Sequence, residues 1–214
     1  MSKVLIIGGG AAGMMAAVAA GENGHEVWLY EKNDRLGRKL FITGKGRCNI
    51  TNAGDMETLF ASVMSNPKFL YSSFYTFTND QVIDFFEELG VRTKIERGNR
   101  VFPLSDHSSD VIAGLKRKLE TLGVRICLET EVEKIEGKDG KFQAIVLKGG
   151  QRKTGDACIV ATGGISYPAT GSTGDGYRFA KENGHQITKL YPALVPMEVR
   201  EWYAKELQLS LIHI

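Results

Sequence analysis

The stretch that decides the fold runs from Lys3 to Lys32 and reads KVLIIGGGAAGMMAAVAAGENGHEVWLYEK. Its first residues, up to Gly8, form a short β-branched apolar run, which predicts a buried parallel strand. The small residues that follow predict a helix closed by Gly24, and Glu26 to Tyr30 predicts a second strand. A strand, a tight glycine turn, a helix and a strand within about thirty residues make a βαβ unit. The sequence therefore predicts an α/β fold with a mostly parallel sheet.

The glycines of the turn have the spacing Gly8-x-Gly10-x-x-Gly13, between a strand and a helix. In this context Gly8 permits the tight turn, Gly10 lets the backbone approach a pyrophosphate, and Gly13 lets helix and strand pack closely. The start of the helix, with Ala11 and Ala12, offers N–H groups and a positive dipole end to phosphates. The pattern predicts a Rossmann-type dinucleotide site; a glycine-rich turn without a ligand is the structural alternative.

Glu31 comes directly after the second predicted strand. Its carboxylate can accept hydrogen bonds from both ribose hydroxyls of an adenosine, and it would repel the 2′-phosphate of NADP. FAD and NAD share this fingerprint, so both cofactors stay open on these residues alone.

A second glycine turn follows another apolar run, CIVATGG (Cys158 to Gly164). Ala157 to Ala161 predicts a buried strand, whose carboxyl end would bring the turn to the edge of the sheet where ligands bind. The turn consists of Ala161, Thr162, Gly163 and Gly164. An ordinary strand-to-loop turn is the alternative. Further along, TGSTGDGY leads from glycines into a helix, with Asp175 as a candidate N-cap.

The other periodic segments predict the remaining elements. Apolar stripes with glycine stops predict helices at Asn79 to Gly90 and Ser108 to Gly123. VRTKIERGNRVFP predicts two short strands around RGN, and KDGK predicts the turn of a hairpin. These strands add a small antiparallel β element to the parallel sheet.

The composition of the chain excludes several classes of protein. It has 214 residues and a formal net charge of +2, which argues against nucleic acid or an anionic membrane as the main partner. No run approaches about 18 apolar residues, so no membrane span is expected. A signal peptide in the first twenty residues is the alternative to the βαβ unit, and the central glycines weaken it. Three separate cysteines without a CxxC pair argue against a disulfide framework or a metal site and fit a reducing cytoplasm.

Several motifs occur in order along the chain: GxGxxG with Glu31, GRKLFITGKGRCNITN (37–52), RVFPLSDHSSDV (100–111), ATGGISYPATGSTGDGY (161–177) and YPALVPM (191–197). In these motifs the sequence resembles the BaiN-like family of NAD(P)/FAD-dependent oxidoreductases, over nearly all of its length. The TGxGRCNxTN block is the most specific of them. The resemblance implies a Rossmann-type domain that binds FAD, with the fingerprint on the pyrophosphate and Glu31 on the AMP ribose.

The resemblance also implies that Thr43 to Asn52 runs beside the flavin end of the cofactor. Gly44 and Gly46 would let the main chain lie close to a flat ring or to the ribityl chain. Asn49 can form hydrogen bonds with polar flavin edges, as can Thr51 and Asn52 at the end of this block. By the resemblance alone, Val132 presents a backbone N–H and C=O to adenine.

Cations are frequent near this block. The candidates to balance the pyrophosphate or a reduced flavin are Arg38, Lys39, Lys45 and Arg47. We expect at least two of them to be only a solvated basic patch, and we include Lys32 among the candidate cofactor contacts. Cys48 is a further candidate contact, but without a nearby resolving cysteine we expect a small packed residue rather than a redox group. His107 fits loop and N-cap chemistry, so no catalytic acid or base is assigned.

The implied function is FAD-dependent oxidoreduction, in which hydride passes between NAD(P)H, the flavin and an organic acceptor or oxygen. The expected partner is a small-molecule substrate; reduction of unsaturated steroid or bile-acid rings and amine oxidation are known in the family. An NAD-only dehydrogenase and an inert nucleotide-binding fragment stay open. A tRNA-modifying relative is disfavoured by the low net charge. We expect residues 1–190 to be an incomplete FAD-binding domain and residues 191–214 to begin a substrate-side domain, as in an N-terminal piece of a longer protein.

Overall fold

The computed structural model describes residues 1–192 and Arg200. Within these residues the chain forms seven α-helices and ten β-strands. The strands are β1 Lys3–Ile7, β2 Glu26–Tyr30, β3 Thr51–Asn52, β4 Thr93–Glu96, β5 Arg100–Pro103, β6 Arg125–Cys127, β7 Val132–Lys138, β8 Lys141–Leu147, β9 Arg152–Thr154 and β10 Ala157–Val160. The helices are α1 Ala11–Glu22, α2 Arg38–Ile42, α3 Met56–Ala61, α4 Tyr71–Thr76, α5 Asn79–Glu88, α6 Ser108–Thr121 and α7 Asp175–Glu182.

The main sheet has the strand order β10-β1-β2-β6, and all of its pairs are parallel. β1 lies inside the sheet, where Leu5 and Ile6 have no exposed surface. α1 crosses from β1 to β2 and contacts both strands. The βαβ unit and the mostly parallel α/β sheet predicted from the sequence are thereby confirmed.

Two three-stranded antiparallel sheets complete the fold, with the orders β3-β5-β4 and β7-β8-β9. Asp139 and Gly140 turn the β7–β8 hairpin with positive φ angles of 52° and 72°. Aspartate and glycine are residues that tolerate this conformation, which is why KDGK identified the turn. The predicted hairpins are therefore confirmed.

Each face of the main sheet is covered by its own apolar cluster. On one face α1 packs on the sheet, and the cluster extends into α5 and α6, where α6 contributes Val111, Leu115 and Leu119 at helical spacing. On the other face Ile145 of β8 and Phe179 of α7 pack against Leu5 and other sheet residues. The carboxyl ends of the parallel strands stay free of these layers and are available for a ligand.

The prediction that Ala157 to Ala161 forms a buried strand is wrong in one respect. The strand exists, but β10 is an edge strand, and Ile159 and Val160 are 38% and 44% exposed. An apolar run indicates a strand in a layered sheet but does not reveal whether neighbours cover it on both sides.

The predicted second domain, residues 191–214, and most of the YPALVPM motif lie outside the described residues. The domain boundary at residue 190 therefore stays a prediction. In the part of the chain that the structure describes, no helix is both long enough and apolar enough to cross a lipid bilayer.

Candidate dinucleotide site

A cavity of about 740 Å³ opens at the carboxyl edge of the parallel sheet. Its walls come from the glycine turn after β1, the segment after β2, the start of β7, the turn after β10 and the start of α7. This is the edge at which open α/β sheets bind their ligands. The position of the cavity therefore agrees with the site predicted from the glycine motifs.

The three fingerprint glycines have different surroundings. Gly8 has a φ of +107°, and a Cβ there would lie 2.5 Å from the Ala161 carbonyl oxygen. A Cβ on Gly13 would lie only 1.8 Å from the carbonyl oxygen of Gly8. At Gly10, by contrast, a Cβ would meet nothing within 4 Å. Gly8 and Gly13 thus allow the turn and the packing, as predicted, while the space at Gly10 is open.

The start of α1 is suited to an anion. Gly10 is its N-cap residue, no side chain caps the helix, and the first turn holds no acidic residue. Gly10, Ala11 and Ala12 all line the cavity. The first N–H groups of a helix have no partner within it, and they carry its positive dipole end. A phosphate in the cavity could therefore accept hydrogen bonds that the protein itself leaves free.

Glu31 lies in the cavity wall at the end of β2, and only 7% of its surface is exposed. One carboxylate oxygen accepts a hydrogen bond from the Gly9 N–H at 2.6 Å. The other accepts from the backbone and side-chain nitrogens of Asn33, at 2.8 and 2.6 Å. These three bonds hold the carboxylate in place, and the oxygen that accepts from Gly9 keeps a further acceptor position for a ribose hydroxyl.

Three of the predicted cations line the cavity: Lys32, Arg38 and Lys39. Arg38 donates to the neutral side-chain oxygen of Asn33 at 2.8 Å. Lys32 donates to Asp175 at 2.8 Å. Burial raises the pKa of Asp175, but hydrogen bonds from Lys32 and Thr173 outweigh it and hold this pKa below its ordinary value. Asp175 is the first residue of α7 and Gly174 is its N-cap, so the predicted capping role of Asp175 is wrong.

Arg47 lies in a different environment, among ion pairs beside the β3-β5-β4 sheet. It donates to Asp106 at 2.8 Å and to Glu96, and it stacks 4.2 Å from the ring centroid of Phe102. Lys94 also contacts Asp106, at 2.6 Å. Hydrogen bonds from Lys94 and Arg47 lower the pKa of Asp106. Arg47 is thus compensated by two acids and fastens its loop to the small sheet.

The block Thr43 to Asn52 begins with a compact turn of left-handed residues. Gly44, Lys45 and Gly46 have φ angles of +55°, +59° and +85°. Of the predicted block contacts, Thr43 lines the cavity. The side-chain nitrogen of Asn49, in the orientation that satisfies its neighbours, donates to the carbonyls of Val101 (3.1 Å) and Thr51 (3.0 Å). The predicted contacts of Gly44, Gly46, Arg47, Cys48 and Asn49 with a flavin stay predictions.

Cys48 is a core residue, as expected for a small packed side chain. It is 1% exposed and belongs to the apolar cluster around α1 and α6. Burial raises the pKa of its thiol, and a hydrogen bond with Thr43 opposes this rise only in part. Burial also raises the thiol pKa values of Cys127 and Cys158, the latter to about 12. A raised pKa keeps the thiol protonated and hence a weak nucleophile.

We therefore expect Cys48 in the folded protein to react with iodoacetamide at pH 8 at least about tenfold more slowly than in urea. Mass spectrometry of the peptides would follow each cysteine separately. Half-buried Cys127 serves as the internal control and should react faster than Cys48. Equal rates for Cys48 in the folded and unfolded chains would contradict its burial.

The turn after β10 supplies a full wall of the cavity, with Ala161, Thr162, Gly163 and Gly164 among its lining residues. The Thr162 hydroxyl is buried and has no hydrogen-bond partner among the described residues. Val132, at the start of β7, also lines the cavity and is buried. Together with the uncapped helix start and the space at Gly10, an unsatisfied hydroxyl beside the cavity fits a polar dinucleotide.

Sequence reasoning missed several residues of this wall, notably Tyr30, Asn33 and Ser172. The Tyr30 hydroxyl is also buried without a partner among the described residues, and burial, with a contribution from Cys127, raises its pKa to about 12. Asn33 could have been found from its place two residues after Glu31. Ser172 lies between glycines in TGSTGDGY, a motif that identified the loop but not its contacts. In the described part of the chain, no cluster of His, Cys, Asp and Glu could hold a metal ion.

Comparisons with curated proteins find relatives over almost the entire chain. It is 34% identical over 205 residues to the 3-dehydro-bile acid delta(4,6)-reductase of Clostridium scindens. This alignment covers 94% of this chain and 48% of that protein. It is 30% identical over 203 residues to the ribosomal RNA dihydrouridine synthase of Haemophilus influenzae. This alignment covers 94% of this chain and 50% of that protein. The chain thus spans about half the length of the curated relatives it matches.

Solved structures share the fold. The Sdh1 complex of Mycobacterium smegmatis superposes with a TM-score of 0.65 at 22% identity, over 86% of this chain and 39% of that one. A flavocytochrome c3 fumarate reductase superposes with a TM-score of 0.60 at 22% identity, over 86% of this chain and 40% of that one. At such identities the likeness concerns the fold alone. The family model of the HI0933-like protein Rossmann domain matches residues 2–202. The chain therefore belongs to the HI0933-like family.

Proposed function

We propose that this chain binds FAD and forms the cofactor domain of an oxidoreductase that uses NAD(P)H as electron donor. One observation carries the proposal: the uncapped start of α1, open at Gly10, faces the same cavity as the buried carboxylate of Glu31. Amide donors for phosphates and an acceptor for ribose hydroxyls at adjacent strand ends are what an adenine dinucleotide requires.

Different residues of the cavity would contact different parts of the cofactor. The N–H groups at Gly10, Ala11 and Ala12 would bind the pyrophosphate, and Arg38 would offset part of its charge. Glu31 would bind the adenosine ribose, and the backbone of Val132 would lie beside the adenine. The turn after β10 would enclose the cofactor from the other side.

The flavin end would lie along the block that begins at Thr43. There the left-handed turn of Gly44 to Gly46 holds two residues without side chains, at which main chain could lie close to a flat ring. Bound FAD would supply hydride chemistry between NAD(P)H and a small organic acceptor or oxygen. The chain's own residues bind and orient the cofactor.

The names of two relatives suggest the class of acceptor. A delta(4,6)-reductase and a dihydrouridine synthase both act, by their names, on a carbon–carbon double bond within a ring. We extend this class to the present protein and propose a conjugated ring alkene as the substrate. A small molecule is favoured over RNA because the formal charge of +2 provides little attraction for a polyanion. Competition between RNA and small ring alkenes for turnover would decide between them.

The test is the visible spectrum of the 214-residue chain after incubation with FAD and desalting, followed by NADH under anaerobic conditions. We expect a bound flavin spectrum that bleaches with NADH. A retained flavin that NADPH but not NADH bleaches would change the donor and keep the cofactor. Loss of all flavin on desalting, together with saturable NADH binding, would favour the NAD-only alternative and contradict the proposal.

A further inference from the structure

Two glycine-rich segments meet above the fingerprint turn. β10 and β2 lie on either side of β1 in the sheet, so the segments that follow them flank Gly8. We use the word strap for the loop Gly164–Gly174 after β10. Side chains from residues 32–39, after β2, hold this strap from the other side of the cavity.

Lys39 makes the first of these contacts. Its ammonium group donates to the Ser166 carbonyl and to the Ser172 hydroxyl, both at 2.7 Å. Ser172 is itself buried, with 7% of its surface exposed. Lys39 therefore joins two points of the strap, one near each end, through a single group.

Lys32 and Asn33 make the second set. Lys32 donates to the Thr173 hydroxyl at 2.7 Å and to Asp175, just beyond the strap, at 2.8 Å. The Asn33 side-chain nitrogen donates to the Thr170 carbonyl at 3.3 Å. A Cβ on Gly171 would lie 2.6 Å from the same nitrogen, so the two segments approach closely here.

The form of the strap suits movement about its ends. Gly163 and Gly174 have φ angles of +73° and +85°, and the Gly174 N–H donates to the Gly164 carbonyl at 3.1 Å to close the base. Ile165 and Tyr167 of the strap are 55% and 69% exposed. Because these large side chains are not packed, the polar contacts of the lysines carry much of what holds the strap down.

We propose that the strap is a closure that retains the cofactor, latched by Lys39 on Ser166 and Ser172 and by Lys32 on Asp175. The inference rests on the proposed function. It makes Lys32 and Lys39 positioning residues, which act through the strap rather than as ligands of the pyrophosphate. Release of FAD then requires the latches to open.

The Asp175→Asn substitution separates the two roles of Lys32. If Lys32 served the phosphates directly, removal of the nearby carboxylate charge would strengthen the attraction for FAD and slow its release. If Lys32 is a latch, the same change weakens the latch and speeds release. Ser172→Ala tests Lys39 in the same way, since it removes a latch partner and leaves the cation in place.

The first experiment needs no cofactor. Hydrogen exchange of strap amides, Gly174 included, is compared in the native protein, Lys39→Met, Ser172→Ala and the control Lys68→Met. Lys68 is exposed and lies in another part of the chain, so its change removes the same charge away from the strap. We expect the strap amides to exchange roughly threefold to tenfold faster in the two latch variants than in the native protein. In the control they should exchange at the native rate. Unchanged exchange in both latch variants would overturn the latch.

The second experiment measures the rate of FAD release by flavin fluorescence in the same proteins and in Asp175→Asn. We expect release about threefold to tenfold faster in every latch variant. Slower release from Asp175→Asn, or native rates throughout, would overturn the retaining role while FAD binding stands. Failure of the native protein to bind FAD at all would instead overturn the proposed function, and the exchange data would still report on the latch.

Discussion

Replacing Gly13 by alanine is expected to lower the free energy of unfolding by about 3 kcal/mol. The new Cβ would lie 1.8 Å from the carbonyl oxygen of Gly8, far inside van der Waals contact. Gly8 has no room to yield, because its N–H donates to the Tyr30 carbonyl at 2.8 Å and its own Cβ position is 2.5 Å from Ala161. The clash must therefore push α1 away from the sheet. Urea denaturation followed by circular dichroism would measure the change.

The sign of this effect is informative because alanine is the better helix former, by about 1 kcal/mol in a helix interior. A lower stability therefore requires that the clash outweigh the gain in propensity. Gly10→Ala is the matched control, since it is the same substitution three residues earlier in the same turn and meets no atom within 4 Å. An unchanged or higher denaturation midpoint for Gly13→Ala would show that the helix and β1 do not pack as the structure has them.

These close contacts explain why the sequence predicted so much of the fold. The tight packing at Gly8 and Gly13 leaves no room for a side chain, so both positions require glycine and the requirement is visible in the GxGxxG spacing. Helices α5 and α6 were predicted for a similar local reason. Apolar stripes and the glycines that follow both helices predicted them, and the structure adds a capping box of Thr78 and Gln81 at the start of α5. Local signals of this kind need no knowledge of distant residues.

The parts that could not be predicted depend on residues far apart in the chain. Lys39 bonds to Ser172, 133 positions away, and Arg47 bonds to Glu96, 49 positions away. No periodicity relates such partners, so the cations near the block looked equivalent in the sequence. In the structure Lys39 lines the cavity, whereas Arg47 pairs with two acids. The exposure of β10 has the same origin, because its place at the sheet edge depends on which strands lie beside it.

Replacing Gly10 by alanine is expected to weaken FAD binding roughly hundredfold and to change the free energy of unfolding by less than about 1 kcal/mol. Alanine can adopt the backbone angles at this position, φ −78° and ψ −172°. Its methyl group would enter the free space above the start of α1, where the pyrophosphate is proposed to lie. Titration of protein with FAD, followed by flavin fluorescence, would measure the affinity alongside the urea denaturation.

The ligand series locates the effect within the cofactor. ADP shares the pyrophosphate, so its affinity for Gly10→Ala should fall by about the same factor as that of FAD, whereas adenosine should bind the variant and the native chain alike. Gly13→Ala should show the reverse pattern, in which the free energy of unfolding falls and the affinity for FAD changes less. If Gly10→Ala binds FAD as the native chain does, the pyrophosphate does not lie against the helix start. The glycine turn would then serve packing alone, and the site of the nucleotide would have to be sought elsewhere in the cavity.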